Sequence, residues 1–273
     1  MNFVVGKVAL REIPPLVLPG LRIALATLFL IPIYLWDWKR GSRQRFSRAD
    51  GPKLLLVGLC GITFNQFFFI AGLSRTSVAH MAVFIALTPI LVLLLAAAIG
   101  QERITIPKLA GMLVAMAGDL ALEVTKGSAT AATPLGDFYA FLGTAAFSIY
   151  TVAGKDLASR YGSIPMNLMC YSVGTVTLAP VWWFARSSFH PAQISAAAWW
   201  SLAYMVIFAS ILAYLIYYYA LVYVSASRVA AFTYAEPVMA AALGYVLLGE
   251  PVTWLLAVAG VLVLAGVWVA ERF

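Results

Sequence analysis

The sequence predicts an all-α integral membrane protein: two inverted five-helix repeats, ten transmembrane helices in all, with the first lacking its N-terminal half. Three observations lead there. The 273-residue chain is 63% hydrophobic and 11% charged, with mean hydropathy +0.92, whereas a soluble domain is nearer half apolar and a quarter charged. Its apolar residues come in runs of about 20, the length of helix that crosses a hydrocarbon core about 30 Å thick. The chain also matches itself at a fixed shift of 148 residues.

Breakers and charges divide the apolar sequence into nine complete spans. In the first half these run from Leu16 to Trp36, Leu54 to Leu73, Val78 to Ile99 and Leu109 to Val124, and the sixth span of the full set runs from Leu135 to Gly154. Ile164 to Ala185, Ala198 to Val222, Val229 to Leu248 and Val252 to Ala270 complete the second half. Met1 to Leu10 precedes them, apolar apart from Asn2 and Lys7. At 1.5 Å per residue it covers roughly 15 Å, half a bilayer, and reads as the end of a helix. It carries neither the basic n-region nor the small-residue site of a cleavable signal peptide. Trp36, Trp38, Trp199 and Trp200 stand at span ends as interfacial anchors.

The net charge of +7 does not mark a nucleic-acid binder, because most of the basic residues lie between spans rather than on one lipid-free face. Lys39, Arg40, Arg43, Arg45, Arg48 and Lys53 crowd the connection from Asp37 to Lys53, which places that connection in the cytoplasm. Following the alternation, Arg103, Lys108, Lys155, Arg160, Arg228 and Arg272 fall on the same side, and so does the C-terminus. Their role is orientation in a bacterial-type cytoplasmic membrane and attraction to anionic lipid. Cys60 and Cys170 lie inside spans without CxxC or metal-ligand spacing, and packing is the expected role of both. Neither a cofactor nor a metal is expected.

The repeat lays TSVAHMAVFIALTPILVLLLAAAIGQERIT on VSASRVAAFTYAEPVMAAALGYVLLGEPVT without a gap. Ser77 meets Ser225, Phe84 meets Phe232, Pro89 meets Pro237, and Glu102 meets Glu250; further on, Gly118 meets Gly266. The same shift puts Gly6 and Lys7 on Gly154 and Lys155, so Met1 to Leu10 corresponds to the end of the sixth span. From this we expect residues 1–125 to form the first repeat and 134–273 the second. Five spans per repeat is an odd number, so the second copy enters the membrane in the opposite sense. Inverted repeats recur in secondary transporters, where two similar halves exchange inward and outward shapes around a central site.

The sequence resembles the drug/metabolite transporter superfamily, of the EamA type, over nearly its whole length. NFVVGKVALREIPPLVLPGLR resembles that family's first helix, two-proline turn and Leu-Arg, here Pro14, Pro15, Leu21 and Arg22. Ser77, Ala79, Pro89, Gly100 and Glu102, followed by Gly111 and Gly118, resemble the end of its first unit; Ser225, Glu236, Pro237, Gly249 and Glu250, followed by Gly260 and Gly266, resemble the end of its second. The chain departs from the family where a tryptophan commonly precedes Asn2-Phe3, and at Ile149, where tryptophan or alanine is common. The resemblance implies ten helices, both termini cytoplasmic, and export of amino acids or other small metabolites, driven by an ion gradient or facilitated.

Ten residues are candidates for contact with a solute or a coupling ion: Glu236, Arg22, Asp119, His80, Asn65, Gln66, Ser148, Tyr150, Tyr214 and Tyr218. An ionised group at the bilayer centre costs roughly 2.5–3.5 kcal/mol on insertion scales, so it persists only facing protein or water. Glu236 stands inside the ninth span directly before Pro237, whose missing N–H weakens the helix there. It is the first candidate for neutralisation by a proton or a substrate amino group, or else a buried acid fixed by Arg22 or a tyrosine. Arg22 in the second span either snorkels or pairs with a carboxylate. Asp119 follows Gly118 in the fifth span, and His80 opens the fourth near the outer surface. Asn65 and Gln66 lie mid-span, where an unpaired amide in lipid is expensive. Thr144, Ser148 and Thr151 form one stripe of the sixth span with Tyr150 beside it; Ser210, Tyr214 and Tyr218 share a face of the eighth. Such stripes serve either as helix-contact glue or as ligand contacts.

Glu102 and Glu250 read as caps of the helices that follow them. Gly111, Gly118, Gly260 and Gly266 read as close-approach positions for scaffold or homodimer contacts. The sequence thus points to a secondary carrier of small metabolites by alternating access, with a proton as the candidate coupling ion. The alternatives are a non-transporting membrane scaffold or shortened product, and, more remotely, an intramembrane enzyme such as a lipid-group transferase.

Overall fold

The computed structural model describes residues 5, 8–14, 16–40, 46–73, 75–76, 78–124, 133–236, 238–239 and 254–272. Among these, regular structure is helical and no strand occurs. Nine helical segments, labelled in chain order, correspond to the second to tenth expected spans. They are α1 (Val17–Lys39), α2 (51–73), α3 (78–98), α4 (Ile106–Val124), α5 (Pro134–Tyr161), α6 (Ser163–Ala185), α7 (196–223), α8 (Ala226–Ala231, continued as a 3₁₀ turn Phe232–Tyr234) and α9 (Trp254–Arg272). Most of Met1 to Leu10, and the ninth span beyond Met239 with Glu250, lie outside the described residues.

Five of the described helices are long and apolar enough to cross a membrane: Val17–Lys39, Arg48–Phe69, His80–Ala98, Ser163–Ala185 and Ala196–Tyr223. Their surfaces carry Phe29, Phe67, Val176 and Ile216, each more than half exposed. In water such a surface would aggregate; against lipid it is solvated. The protein is an all-α, multi-pass membrane protein.

The helices are interrupted where the sequence supplies a reason. Pro32 and Pro180, repeat partners under the shift, lie inside α1 and α6. Leu87 breaks α3 ahead of Thr88-Pro89, since proline cannot donate to the carbonyl one turn back. Helix α2 contains a π-helical stretch, Leu59–Phe64, and α7 contains one at Met205–Leu212. Under the shift of 148 the first falls inside the second. A π stretch leaves a backbone carbonyl short of its usual partner. In α7 the Tyr171 hydroxyl donates to the Ser210 carbonyl at 2.8 Å.

By contact the chain divides into two compact units, each drawn from both halves of the sequence: residues Met1–Gln66 with Ala153–Tyr223, and Phe67–Val152 with Val224–Phe273. In the first, α1 packs on its repeat partner α6. Thr27 and Thr175, 148 positions apart, bring their hydroxyl oxygens to 2.8 Å, and Thr63 of α2 meets Thr177 at 2.6 Å. At the loop end, Lys53 pairs with Asp156 at 2.6 Å, Arg160 bridges Asp156 and Asp50, and the Tyr161 hydroxyl donates to Asp50 at 2.5 Å.

In the second unit α4 packs on its repeat partner α9. A Cβ on Gly266 would stand 2.6 Å from the Gly111 carbonyl oxygen, and one on Gly118 would stand 2.8 Å from the Ala259 carbonyl oxygen. These two approaches are repeat images of each other. Gly111, Gly118 and Gly266 are thus used within the chain, as scaffold, whereas among the described residues a Cβ on Gly260 would make only an ordinary contact, 3.7 Å from Val238. Tyr234 donates to the Ala86 carbonyl, again 148 positions away, at 2.7 Å. Around it Ala86, Ala115, Ala259, Val263 and Val267 form a buried cluster.

Glu102 does not cap the helix that follows it. Thr105 takes that place, accepting from the Lys108 N–H. Glu102 instead reaches the start of α8, accepting the Ser227 N–H at 3.0 Å and the Ser227 hydroxyl, while Lys108 pairs with it at 2.6 Å. The carboxylate therefore sits on the positive end of a helix whose first N–H groups have no intrahelical partner.

Candidate functional site

In the second unit, Glu236 follows the 3₁₀ turn Phe232–Tyr234 and presents an exposed side chain within an otherwise apolar span. Ten residues separate it from the start of α8, which is about 15 Å of helix. Asp119, on α4, is buried at 8% exposure and lies within electrostatic reach of Tyr234. Tyr234 itself is locked by its bond to Ala86, so this acid and phenol occupy a fixed relation inside the unit.

Ser148 and Tyr150 are fully buried on α5. Ser148 donates to the Thr144 carbonyl one turn back at 2.8 Å, and Thr144 bonds the Ala140 and Phe84 carbonyls. The Tyr150 ring lies 5.6 Å from that of Phe147. At the far end of α5, Asp137 accepts from the Thr76 hydroxyl at 2.5 Å and faces His80 Nδ1 at 3.0 Å. His80 is thereby tied to α5, half exposed.

In the first unit the remaining candidates lie on α1, α2 and α7. Asn65 and Gln66 are half-buried, immediately beyond the π stretch of α2. Tyr214 packs edge-on against Tyr171, ring centres 5.6 Å apart, and its carbonyl accepts from Asn167 Nδ2 at 3.1 Å. Tyr218 is buried, its hydroxyl 3.8 Å from Cys170 Sγ and its ring against Gly154. Arg22 keeps a buried Nε with no hydrogen-bond partner among the described residues, within electrostatic reach of Tyr171.

Tyr171 and Asn167 escaped the reading of the sequence. Both are polar residues in an apolar span at an i, i+4 interval, the same signal that picked out Ser210 and Tyr214 on the eighth span. Buried polar groups of this kind are hydrogen-bonded or await a partner. Ser210 Oγ and Asn167 Oδ1, both fully buried, have none among the described residues. No grouping of three or more metal-ligating side chains occurs among the described residues.

Membrane-spanning helices duplicated along one chain, with carboxylates carried inside apolar spans, define a polytopic membrane carrier. The chain belongs to the EamA-like transporter family, which matches residues 1–122 and 134–271. A transporter of Archaeoglobus fulgidus, itself uncharacterised, is 31% identical over 273 residues, covering 100% of this chain and 94% of its own length. A probable terminal-alkyne amino-acid exporter of Streptantibioticus cattleyicolor is 28% identical over 255 residues, covering 93% and 84%. A solved crystal structure superposes with a TM-score of 0.79 at 20% identity, covering 99% of this chain and 93% of that one. The protein is thus a transporter of small molecules, embedded in lipid.

Proposed function

We propose that this chain is a secondary transporter that exports amino acids or similar small metabolites across the cytoplasmic membrane, by alternating access of two inverted repeats. The observation that carries the reading is Glu236. A carboxylate seven residues, about 10 Å, along an apolar span is expensive unless a cation meets it, and either the ammonium of an amino acid or a proton supplies one. Pro237 follows it directly, so the helix has one main-chain hydrogen bond fewer to lose when it flexes. Contacts between residues 148 apart, in both units, support the repeat relation that alternating access needs. The similarity to an amino-acid exporter supports the substrate class, and the basic connection ahead of α2 supports a cytoplasmic C-terminus.

The test is counterflow of radiolabelled amino acids in proteoliposomes. Glu236→Gln, nearly isosteric but unable to ionise, is expected to lower the rate at least about tenfold, which is about 1.4 kcal/mol. Arg22→Gln is expected to lower it as well, by removing a cation suited to a substrate carboxylate. Transport undiminished in Glu236→Gln would remove that residue from the mechanism.

A further inference from the structure

At one end of the second unit α3, α4, α8 and α9 converge, where Leu93, Met112, Ala231 and Ala270 form one buried cluster. Lys108, Arg228 and Arg272 stand within about one turn of that cluster along their helices. Arg103 follows Glu102, which pairs with Lys108 and accepts the Ser227 N–H. Four cationic side chains therefore meet where the same segments carry two carboxylates, Glu102 and Glu271. Glu102 is spent on Lys108 and Ser227, which leaves Arg103, Arg228 and Arg272 against Glu271. Arg103 and Arg272 are exposed.

Exposed apolar side chains lie beside these charges. Ile104 and Ile106, at the turn into α4, are 47% and 86% exposed in a place where polar residues are the rule. Trp268 is 58% exposed one turn before Arg272, whose guanidinium stands over its ring at 5.2 Å from the centre. Leu264 and Val261, both more than half exposed, continue the stripe down α9. Cations just beyond an aromatic and apolar surface stand at the level of lipid headgroups. The group a guanidinium binds there is phosphate.

The duplication separates this charge from the needs of the fold. At the shift of 148, Arg103, Lys108, Arg228 and Arg272 fall on Pro251, Leu256, His80 and Val124. None of the four equivalents is a lysine or arginine, so the repeated fold does not by itself call for them. We infer that this end of the second unit is a binding site for an anionic phospholipid. Arg103, Arg228 and Arg272 hold the phosphate, and the acyl chains lie along Ile104, Ile106 and Trp268. A general attraction of basic connections to anionic lipid would be shared by Arg48 in the first unit; a site is confined to these three arginines. It is independent of Glu236 and of the transported solute.

The test is native mass spectrometry of the purified full-length protein in detergent, titrated with phosphatidylglycerol or with phosphatidylcholine. Saturable retention of phosphatidylglycerol is expected, with phosphatidylcholine held at least tenfold more weakly. Arg103→Gln combined with Arg272→Gln, both at exposed side chains that tolerate replacement, is expected to weaken retention about thirtyfold, since each arginine near an anionic surface counts for roughly a factor of five. Arg48→Gln, likewise exposed, is the control and should leave retention unchanged. The two lipids held alike, or a loss with Arg48→Gln equal to that of the double variant, overturns the proposal. Displacement of the lipid by inorganic phosphate at equal concentration overturns it as well, because the site would then be one for free phosphate.

Discussion

Gly266→Leu is expected to yield little folded protein, with a loss of stability of about 3 kcal/mol or more. Overpacking a filled core ordinarily costs about 1–3 kcal/mol because side chains shift to make room. Here the atoms in the way are backbone: the Gly111 carbonyl oxygen at 2.6 Å and Ala115 Cα at 2.8 Å from the new Cβ. No rotamer change relieves that clash, so α4 and α9 must part along their crossing, and with them the cluster around Ala115, Val263 and Val267. Small residues are what let transmembrane helices approach this closely. Gly260→Ala is the matched control, since among the described residues its Cβ would meet only Val238 Cγ1 at 3.7 Å, an ordinary contact. Thermal unfolding in detergent compares the two. Equal melting temperatures would show that the crossing is looser than described.

Lys108→Met is expected to cost about 3–5 kcal/mol at neutral pH, the usual penalty for leaving half of a buried ion pair behind. Glu102 and Lys108 each have side chains only 6% exposed. Burial works to raise the Glu102 pKa, but the bonds from Lys108 and Ser227 outweigh it and hold the carboxyl below its ordinary value of 4.5. A depressed folded pKa adds stability that is complete above the unfolded value and is lost as pH falls through the folded one. The gap between wild type and Lys108→Met should therefore be widest near neutrality and narrow below about pH 4.5. Denaturation in mixed micelles at pH 7 and at pH 4 measures it; a gap independent of pH would mean that the pair contributes nothing through its charges. Glu102→Gln with Lys108→Met should recover part of the loss, because two neutral groups leave no buried charge uncompensated.

Much of the fold was legible because its cause is local. Runs of apolar residues, prolines and charges fixed the second to eighth spans to within a few residues, although α5 continues to Tyr161, beyond the expected Gly154. Gly111, Gly118 and Gly266 could be recognised as close-approach positions from their residue type alone. The partners were not legible. Glu102 finds Ser227 at a separation of 125 positions, and no spacing rule on one helix reaches that far. The π-helical stretches escaped for a similar reason. Leu59–Phe64 and Met205–Leu212 have the same apolar composition as the regular turns beside them, and what distinguishes the second is a hydroxyl on another helix, that of Tyr171.

The candidate residues divide along the same line. Residue type in an apolar span was enough to single out Glu236, Asp119 and Arg22, because charge there needs a reason. For Ser148, Tyr150, Tyr214 and Tyr218 it was not, since a polar stripe on one helix fits a backbone bond and a ligand contact equally well. In the structure Ser148 bonds its own helix and Tyr218 packs on Gly154.

The meeting of Thr27 with Thr175 leaves a shortage of hydrogens. Each hydroxyl is placed to donate to a carbonyl of its own helix, Thr27 to Ile23 and Thr175 to Tyr171, both at 2.9 Å, and the two oxygens also face each other at 2.8 Å. That makes three hydrogen bonds for two protons, because a hydroxyl donates once. Ile23 and Tyr171 are themselves counterparts under the duplication, so the backbone offers both threonines the same choice. At any instant one threonine holds its carbonyl while the other releases its own to bond its twin. Where two copies of one ancestral residue face each other, the position of a single proton distinguishes one copy from the other.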